Sequence, residues 1–180
     1  EFEVNLADVG ANALLVNATG AYTIRNVALY NNSTGIRVQA GNNGLLEKNL
    51  IGTRADGTDP TGNLRIETGI EFNGGSTVNP LIQENYIAYL NGTGIKSSNQ
   101  SSVLNVFKNE IYKAAQSGSN TNGIEGIGTW TIQQNRIHEV GNGSSSATNG
   151  GHGIEIGSET GTSANNTIRN NSLYNNAVTG

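Results

Sequence analysis

The stretch NGIEGIGTWTIQQNRI at residues 122–137 decides the fold, because both of its halves recur along the chain. Its second half has the pattern apolar-x-x-Asn-x-apolar. It is found as TIRNVAL (23–29), LLEKNLI (45–51), LIQENYI (81–87), NVFKNEI (105–111), TIQQNRI (131–137) and TIRNNSL (167–173). Its first half contains Gly-Ile and is found as TGIRV (34–38), TGIEF (68–72), TGIKS (93–97), NGIEG (122–126) and HGIEI (152–156), with ANALLV (11–16) as a degenerate copy. A repeat of this length predicts a solenoid.

The repeated unit is predicted to be a strand, a turn and a second strand. Apolar residues alternate with polar ones, and the high Gly and Asn content disfavours helix. One unit is too short to bury a core, so successive coils must stack and form a continuous apolar column. We therefore predict an all-β, parallel solenoid of about six coils. Three rows of residues are expected to point inward: Ile36, Ile70, Ile95, Ile124 and Ile154; Ile24, Leu46, Ile82, Val106, Ile132 and Ile168; Leu29, Ile51, Ile87, Ile111, Ile137 and Leu173.

An asparagine recurs at the centre of the second element. Stacked coils lie about 4.7–4.9 Å apart, a distance at which one side-chain amide can donate to the carbonyl of the next. A buried amide is tolerated when it is hydrogen-bonded in this way. We therefore predict an internal asparagine ladder, with Val27 in the first copy and Asn49, Asn85, Asn109, Asn135 and Asn171 in the others.

Composition limits the function classes. The 180 residues correspond to one domain, and only 13 % are charged, against about 25 % in average proteins. The net charge of −4, with no basic cluster, argues against nucleic-acid binding. The absence of cysteine excludes disulfides, thiolate metal sites and cysteine catalysis. No apolar run is long enough to predict insertion into a membrane.

With these repeats and this ladder, the sequence resembles the right-handed parallel β-helix family, of pectate-lyase-like architecture. The stretch from ANALLVNATGAYTIRNVAL (11–29) through GIRV (35–38) to EKNLIGTRADGTDPTGN (47–63) is similar to repeats of large secreted and cell-surface proteins of bacteria. Nearly the whole chain resembles a β-helix. The match is specific in the first half of the chain and generic in the second half. It implies an extracellular location. Because the family includes lyases, hydrolases and adhesins, the fold alone does not decide the function.

The chain is expected to be a single unit, 1–180, that forms part of a longer solenoid. It opens with the strand pattern Phe2-x-Val4-x-Leu6 and closes with TIRNNSLYNNAVTG, which is similar to TIRNVALYNNSTG at 23–35. Neither end has a capping helix, so the expected partners are adjacent coils or domains of the same longer polypeptide.

The outward positions of the Gly-Ile strands form the wall that carries the active site in enzymes that this chain resembles. Arg37, Glu71, Lys96 and Glu125 alternate in charge, which favours pairing between coils, and Glu155 follows Glu125 as a like charge. Lys96, Glu125 and Glu155 are the candidate catalytic residues of a lyase, although a solvated ladder with the two glutamates splayed apart is the simpler interpretation. A hydrolase would need several aspartates here, and the chain has only Asp8, Asp56 and Asp59.

Asp56 and Asp59 are candidate calcium ligands in the first loop, but they lack the ligand spacing of known calcium loops. Aspartates in such turns mostly bind their own backbone, and we expect no cofactor beyond an optional Ca²⁺.

An aromatic column is predicted three positions after the ladder asparagine. Tyr112, His138 and Tyr174 follow one another there and point outward, and Glu110 could pair with Arg136 beside them. Exposed aromatic rings can stack on sugars, although stacking that only stabilises the sheet explains the same pattern.

The leading hypothesis is a rigid structural or adhesive segment of a secreted bacterial surface protein, with weak polysaccharide binding at Tyr112, His138 and Tyr174. The alternative is a polysaccharide lyase or related carbohydrate-active enzyme. An enzyme requires a groove with converging titratable groups, whereas a stalk or adhesin does not.

Overall fold

The computed structural model describes residues 2–5, 12–17, 19–61, 64–117, 121–141, 151–157, 163 and 165–177. These residues form nineteen β-strands in three parallel sheets, which confirms the predicted all-β parallel solenoid. Within the described ranges, no helix is long and apolar enough to cross a membrane. Asp8 and the connecting residues 118–120, 142–150 and 158–162 lie outside the described residues.

Strands are numbered in chain order, and each sheet collects one strand from every coil. Sheet 1, formed by the Gly-Ile strands, contains β2 (Asn12–Asn17), β5 (Thr34–Ala40), β8 (Thr68–Phe72), β11 (Ile95–Ser97), β14 (Ile124–Gly126) and β17 (Ile154–Ile156). Sheet 2 contains β3 (Thr23–Arg25), β6 (Leu45–Glu47), β9 (Leu81–Gln83), β12 (Val103–Phe107), β15 (Thr129–Gln133) and β18 (Thr167–Arg169). Sheet 3 contains β1 (Phe2–Asn5), β4 (Val27–Tyr30), β7 (Leu50–Ile51), β10 (Tyr86–Ala88), β13 (Glu110–Tyr112), β16 (Arg136–His138) and β19 (Ser172–Tyr174).

Each coil has three strands, so the predicted unit of two strands is wrong. The second element bends at the residue before the ladder position, where the backbone adopts a left-handed conformation. The φ angle is 54° at Lys48 and Glu84, 53° at Lys108 and 56° at Gln134. This single residue redirects the chain from sheet 2 into sheet 3. Lysine, glutamate and glutamine rarely adopt positive φ, so these four copies carry no local signal for the bend. The first and last copies have Asn26 and Asn170 at this position, with φ of 55° and 56°, and asparagine is a residue type that favours this conformation.

The asparagine ladder is confirmed. The Oδ1 atom of Asn85 accepts hydrogen bonds from N and Nδ2 of Asn49, at 3.0 and 2.9 Å. The same pair of bonds joins Asn85 to Asn109, Asn109 to Asn135, and Asn135 to Asn171, all at 2.8 to 3.0 Å. Each Nδ2 from Asn49 onward also donates to a backbone carbonyl of the preceding coil. Buried amides are therefore satisfied on both sides, which fixes the stacking register.

The predicted inward rows are in register and form the core. Ile36, Ile70, Ile95, Ile124 and Ile154 pair in sequence along sheet 1, and the first four are fully buried. Ile168 and Leu173 are exceptions, with 50 % and 46 % of their surface exposed. They lie in β18 and β19, the outermost strands of sheets 2 and 3 among the described residues.

Candidate functional site

Sheet 3 brings the predicted aromatic residues into one row on its outer side. Tyr112 pairs with His138, and His138 with Tyr174, along strands β13, β16 and β19. The ring centroids are 4.7 Å apart in both contacts, and the planes are inclined by 26° and 10°. The spacing of parallel strands, about 4.8 Å, nearly equals the stacking distance of aromatic rings, so a row in register becomes a stack.

The column is less exposed than the sequence suggested. Only 7 % of the His138 side chain is exposed, because a tyrosine ring covers each of its faces. Tyr89 contacts the Tyr112 ring edge-on, with a centroid distance of 5.4 Å and an angle of 72°. A sugar therefore cannot stack on His138. In the described column, the half-buried rings of Tyr112 and Tyr174, on either side of His138, are accessible to a ligand.

Glu110 and Arg136 form the ion pair that the sequence predicted. The Nη1 atom of Arg136 lies 3.0 Å from Oε1 of Glu110, and the same carboxylate oxygen lies 3.0 Å from Nε2 of His138. Arg136 also donates from Nε to the hydroxyl of Tyr174 at 2.6 Å, a bond that raises the pKa of the guanidinium above its usual value. One ion pair thus holds both the histidine and the end of the stack.

Sequence reasoning missed three residues of this face: Tyr86, Tyr89 and Lys113. Tyr86 in β10 lies directly opposite Glu110 in β13. Burial, together with the neighbouring Tyr89, raises the pKa of the Tyr86 hydroxyl. Lys113 places Nζ 5.0 Å from the ring centroid of Tyr112 and 5.9 Å from that of Tyr89. Tyr89 and Lys113 both occupy the left-handed turn after their strands, with φ of 56° and 50°. The signal available in the sequence was their common position, four residues after the ladder asparagine.

The outer wall of sheet 1 contains the alternating charges as paired groups. Nη2 of Arg37 lies 2.6 Å from Oε2 of Glu71, and Nζ of Lys96 lies 2.9 Å from Oε1 of Glu125. Both pairs join residues that are directly opposite each other in register. The charge alternation therefore predicted the contacts correctly.

Glu125 and Glu155 are not splayed apart, contrary to the simpler interpretation. The Nδ2 of Asn122 donates to Oε2 of Glu125 at 2.9 Å and to Oε2 of Glu155 at 2.6 Å. The carbonyl Oδ1 of Asn122 accepts the backbone N–H of His152 at 2.9 Å. One buried amide thus separates two like charges while donating to both. The sequence signal was the asparagine that replaces threonine at this position of the coil.

The first loop uses its two aspartates for its own structure. Asp56 accepts the hydroxyl and the backbone N–H of Thr58, and these bonds lower its pKa. Burial alone would raise the pKa of Asp59, but the hydrogen bonds and charge of Arg65 and the N–H of Thr61 outweigh it and hold that pKa below its usual value. Among the described residues, no group of three or more histidine or acidic side chains could hold a metal ion.

Comparison with known proteins identifies the architecture but not a ligand. A family model described as a right-handed β-helix region matches residues 12–180. No curated protein and no solved structure matches the chain. The matched range includes every strand from β2 to β19, so it covers all three sheets.

Proposed function

The chain belongs to the right-handed β-helix family, and from this premise we propose that it is a rigid segment of a large secreted or cell-surface protein of bacteria. The proposal includes weak binding of polysaccharide on the outer face of sheet 3. Rigidity is supported by the continuous core and by the ladder, in which each buried amide bonds to the coils before and after it. A binding role needs only a repeating surface on such a scaffold.

The observation that carries the binding role is the row of polar aromatic groups along sheet 3. Tyr86, Tyr112 and Tyr174 present half-buried rings on successive or nearby coils, beside the exposed Arg136. Sugars offer apolar C–H faces together with hydroxyl groups, which suits tyrosine rings and their O–H groups. A linear glycan that runs along the solenoid axis would meet the rings of Tyr112 and Tyr174, which lie two coils, or about 9–10 Å, apart. This geometry supports a few weak contacts with a polymer.

The test is a binding assay with the double variant Tyr112→Ala, Tyr174→Ala. Affinity electrophoresis in gels that contain acidic or neutral polysaccharides would measure retardation of the protein. Loss of two aromatic contacts of about 0.5–1.5 kcal/mol each predicts an affinity at least about fivefold weaker. Phe107→Ala is the matched control, since Phe107 is a half-buried aromatic residue on sheet 2. Binding that survives the double variant would place the site elsewhere, with the loops at 53–67 and 140–151 as the next candidates.

A polysaccharide lyase is the alternative, and one observation favours it: Asn122 holds Glu125 and Glu155 together next to Lys96. Against it, the charges of this wall neutralise one another as the Arg37–Glu71 and Lys96–Glu125 pairs, and neither described aspartate, Asp56 or Asp59, lies on the wall. Release of unsaturated, ultraviolet-absorbing product from an acidic polysaccharide, abolished by Lys96→Ala, would establish the lyase. We expect no such product, with or without calcium.

A further inference from the structure

A lysine, a carboxylate and an asparagine amide contact one another on the outer wall of sheet 1. Nζ of Lys96 lies 2.9 Å from Oε1 of Glu125, and Nδ2 of Asn122 lies 2.9 Å from Oε2 of the same carboxylate. An amine and an amide therefore bind to the two oxygens of one carboxylate group. This arrangement has the three components of an acyl-transfer reaction: a nucleophile, a proton carrier and a carbonyl electrophile.

This combination occurs once among the described coils. The residue three positions before the outward residue of each sheet 1 strand is Asn12, Thr34, Thr68, Thr93, Asn122 or His152 in successive coils, and Asn12 precedes the uncharged Leu15 instead of a charged residue. The Arg37–Glu71 pair, one step earlier on the same wall, has threonine at this position and so lacks an amide. Among the described coils, an asparagine at this position thus coincides with a charge pair only where that pair includes a lysine.

We propose that Lys96 and Asn122 join in an intramolecular isopeptide bond, with Glu125 as the proton carrier. Oε1 of Glu125 takes a proton from the Lys96 ammonium, and the freed lone pair of Nζ attacks Cγ of Asn122. The new bond is Nζ–Cγ. Glu125 gives this proton to Nδ2, the Cγ–Nδ2 bond breaks with its electron pair on nitrogen, and ammonia leaves. Nζ still carries two protons after the addition, and it loses one of them through Glu125 to the departing ammonia, which leaves as ammonium. No oxidant, metal or co-substrate is required.

The surroundings of the amide support this reaction. The backbone N–H of His152 donates to Oδ1 of Asn122 at 2.9 Å, where negative charge develops as the nucleophile adds. Glu155 binds the leaving nitrogen at 2.6 Å, which keeps the amide plane in place. Asn122 is 1 % exposed and Glu125 is 8 % exposed, so the carbonyl and the proton carrier are shielded from water. The Lys96 side chain is 41 % exposed and can move from the carboxylate to the adjacent carbonyl.

The bond would fasten two successive coils to each other. Lys96 lies in β11, and Asn122 lies two residues before the start of β14, the neighbour of β11 in sheet 1. A cross-link closes the chain between them and limits the freedom of the unfolded state. It would also resist separation of these two coils under a force along the solenoid axis, which fits the rigid role proposed above but does not depend on it.

The test is the intact mass of the purified protein, measured under denaturing conditions. We expect a mass lower than that of the sequence by one molecule of ammonia, and a protease digest in which the Lys96 and Asn122 peptides are joined. Lys96→Arg keeps the charge but removes the nucleophile, and it should restore the full mass. Glu125→Gln should do the same. Glu71→Gln is the matched control, because it removes an acid of the same wall that has no amide beside it, and the mass deficit should persist.

A wild-type mass equal to that of the sequence would overturn the proposal. So would a deficit that persists in Lys96→Arg or in Glu125→Gln, or a mass raised by deamidation of Asn122. Far-ultraviolet circular dichroism must show β-structure in each variant. If Glu125→Gln fails to fold, Lys96→Arg alone decides the outcome, since its guanidinium retains the ion pair with Glu125.

Discussion

Replacing Asn109 by alanine tests the ladder at its middle. Oδ1 of Asn109 accepts N and Nδ2 of Asn85 at 3.0 and 2.9 Å, and its own Nδ2 donates to the carbonyl of Ile82 at 2.8 Å. The variant leaves the buried backbone N–H of Asn85 without its acceptor. Asn135 keeps one of its two donors, because the backbone N–H of Asn109 remains 2.8 Å from its Oδ1.

The expected loss of stability follows from these contacts. An unsatisfied buried N–H costs about 1–3 kcal/mol, and each lost side-chain hydrogen bond adds about 1 kcal/mol net. We therefore expect Asn109→Ala to lower the free energy of unfolding by about 2–4 kcal/mol. With a urea m-value of about 2 kcal/mol/M, the midpoint should fall by about 1–2 M.

Urea unfolding followed by the fluorescence of Trp130 is the assay, since this fully buried tryptophan lies in the coil next to Asn109. Asn105→Ala is the control. Asn105 lies on the outer side of sheet 2, and the side-chain bond described for it is an exposed one to Asn79 at 3.2 Å, so its loss should cost about 0.5 kcal/mol or less. Equal midpoints for the two variants at unchanged m-value would refute the ladder as the source of stability.

Three further predictions concern packing, pH and the aromatic column. Gly69→Ala should lower the midpoint of thermal unfolding, because the added Cβ would lie 2.5 Å from a backbone oxygen and 2.9 Å from an isoleucine methyl group. Gly75→Ala should leave the midpoint unchanged, because no atom lies within 4 Å of the added Cβ. Equal midpoints for the two variants would contradict this prediction. Because the pKa of Asp59 is lowered in the folded state, its pairing with Arg65 should stabilise the protein above about pH 4 and be lost as the pH falls through that lowered value. Wild type and Asp59→Asn should therefore differ in thermal midpoint at pH 7 and converge once the pH is below that lowered pKa. His138→Phe should lower the free energy of unfolding by no more than about 1.5 kcal/mol, because stacking is preserved. His138→Ala should lower it by about 3 kcal/mol or more, because stacking is lost and a cavity forms. Similar losses in both variants would show that the hydrogen bond to Glu110 matters more than the stack.

The sequence by itself determined which residues share a row. Because every coil adds one strand to each sheet, a residue type that recurs at one place in the repeat must lie above its counterparts. This was sufficient to predict the ladder from Asn49 to Asn171, the inward isoleucines and the order Tyr112, His138, Tyr174. The alternation of Arg37, Glu71, Lys96 and Glu125 gave the ion pairs for the same reason.

Only the tertiary structure decided what each row does. The left-handed residue before the ladder position divides the second element into two strands, and its residue type favours this conformation only in the first and last copies, where it is Asn26 and Asn170. The burial of His138 depends on rings that two other coils supply, and the closeness of Glu125 to Glu155 depends on an amide that donates across coils. A repeat fixes position along each row, whereas exposure, hydrogen-bond partners and ring contacts depend on the side chains in neighbouring coils, which do not repeat.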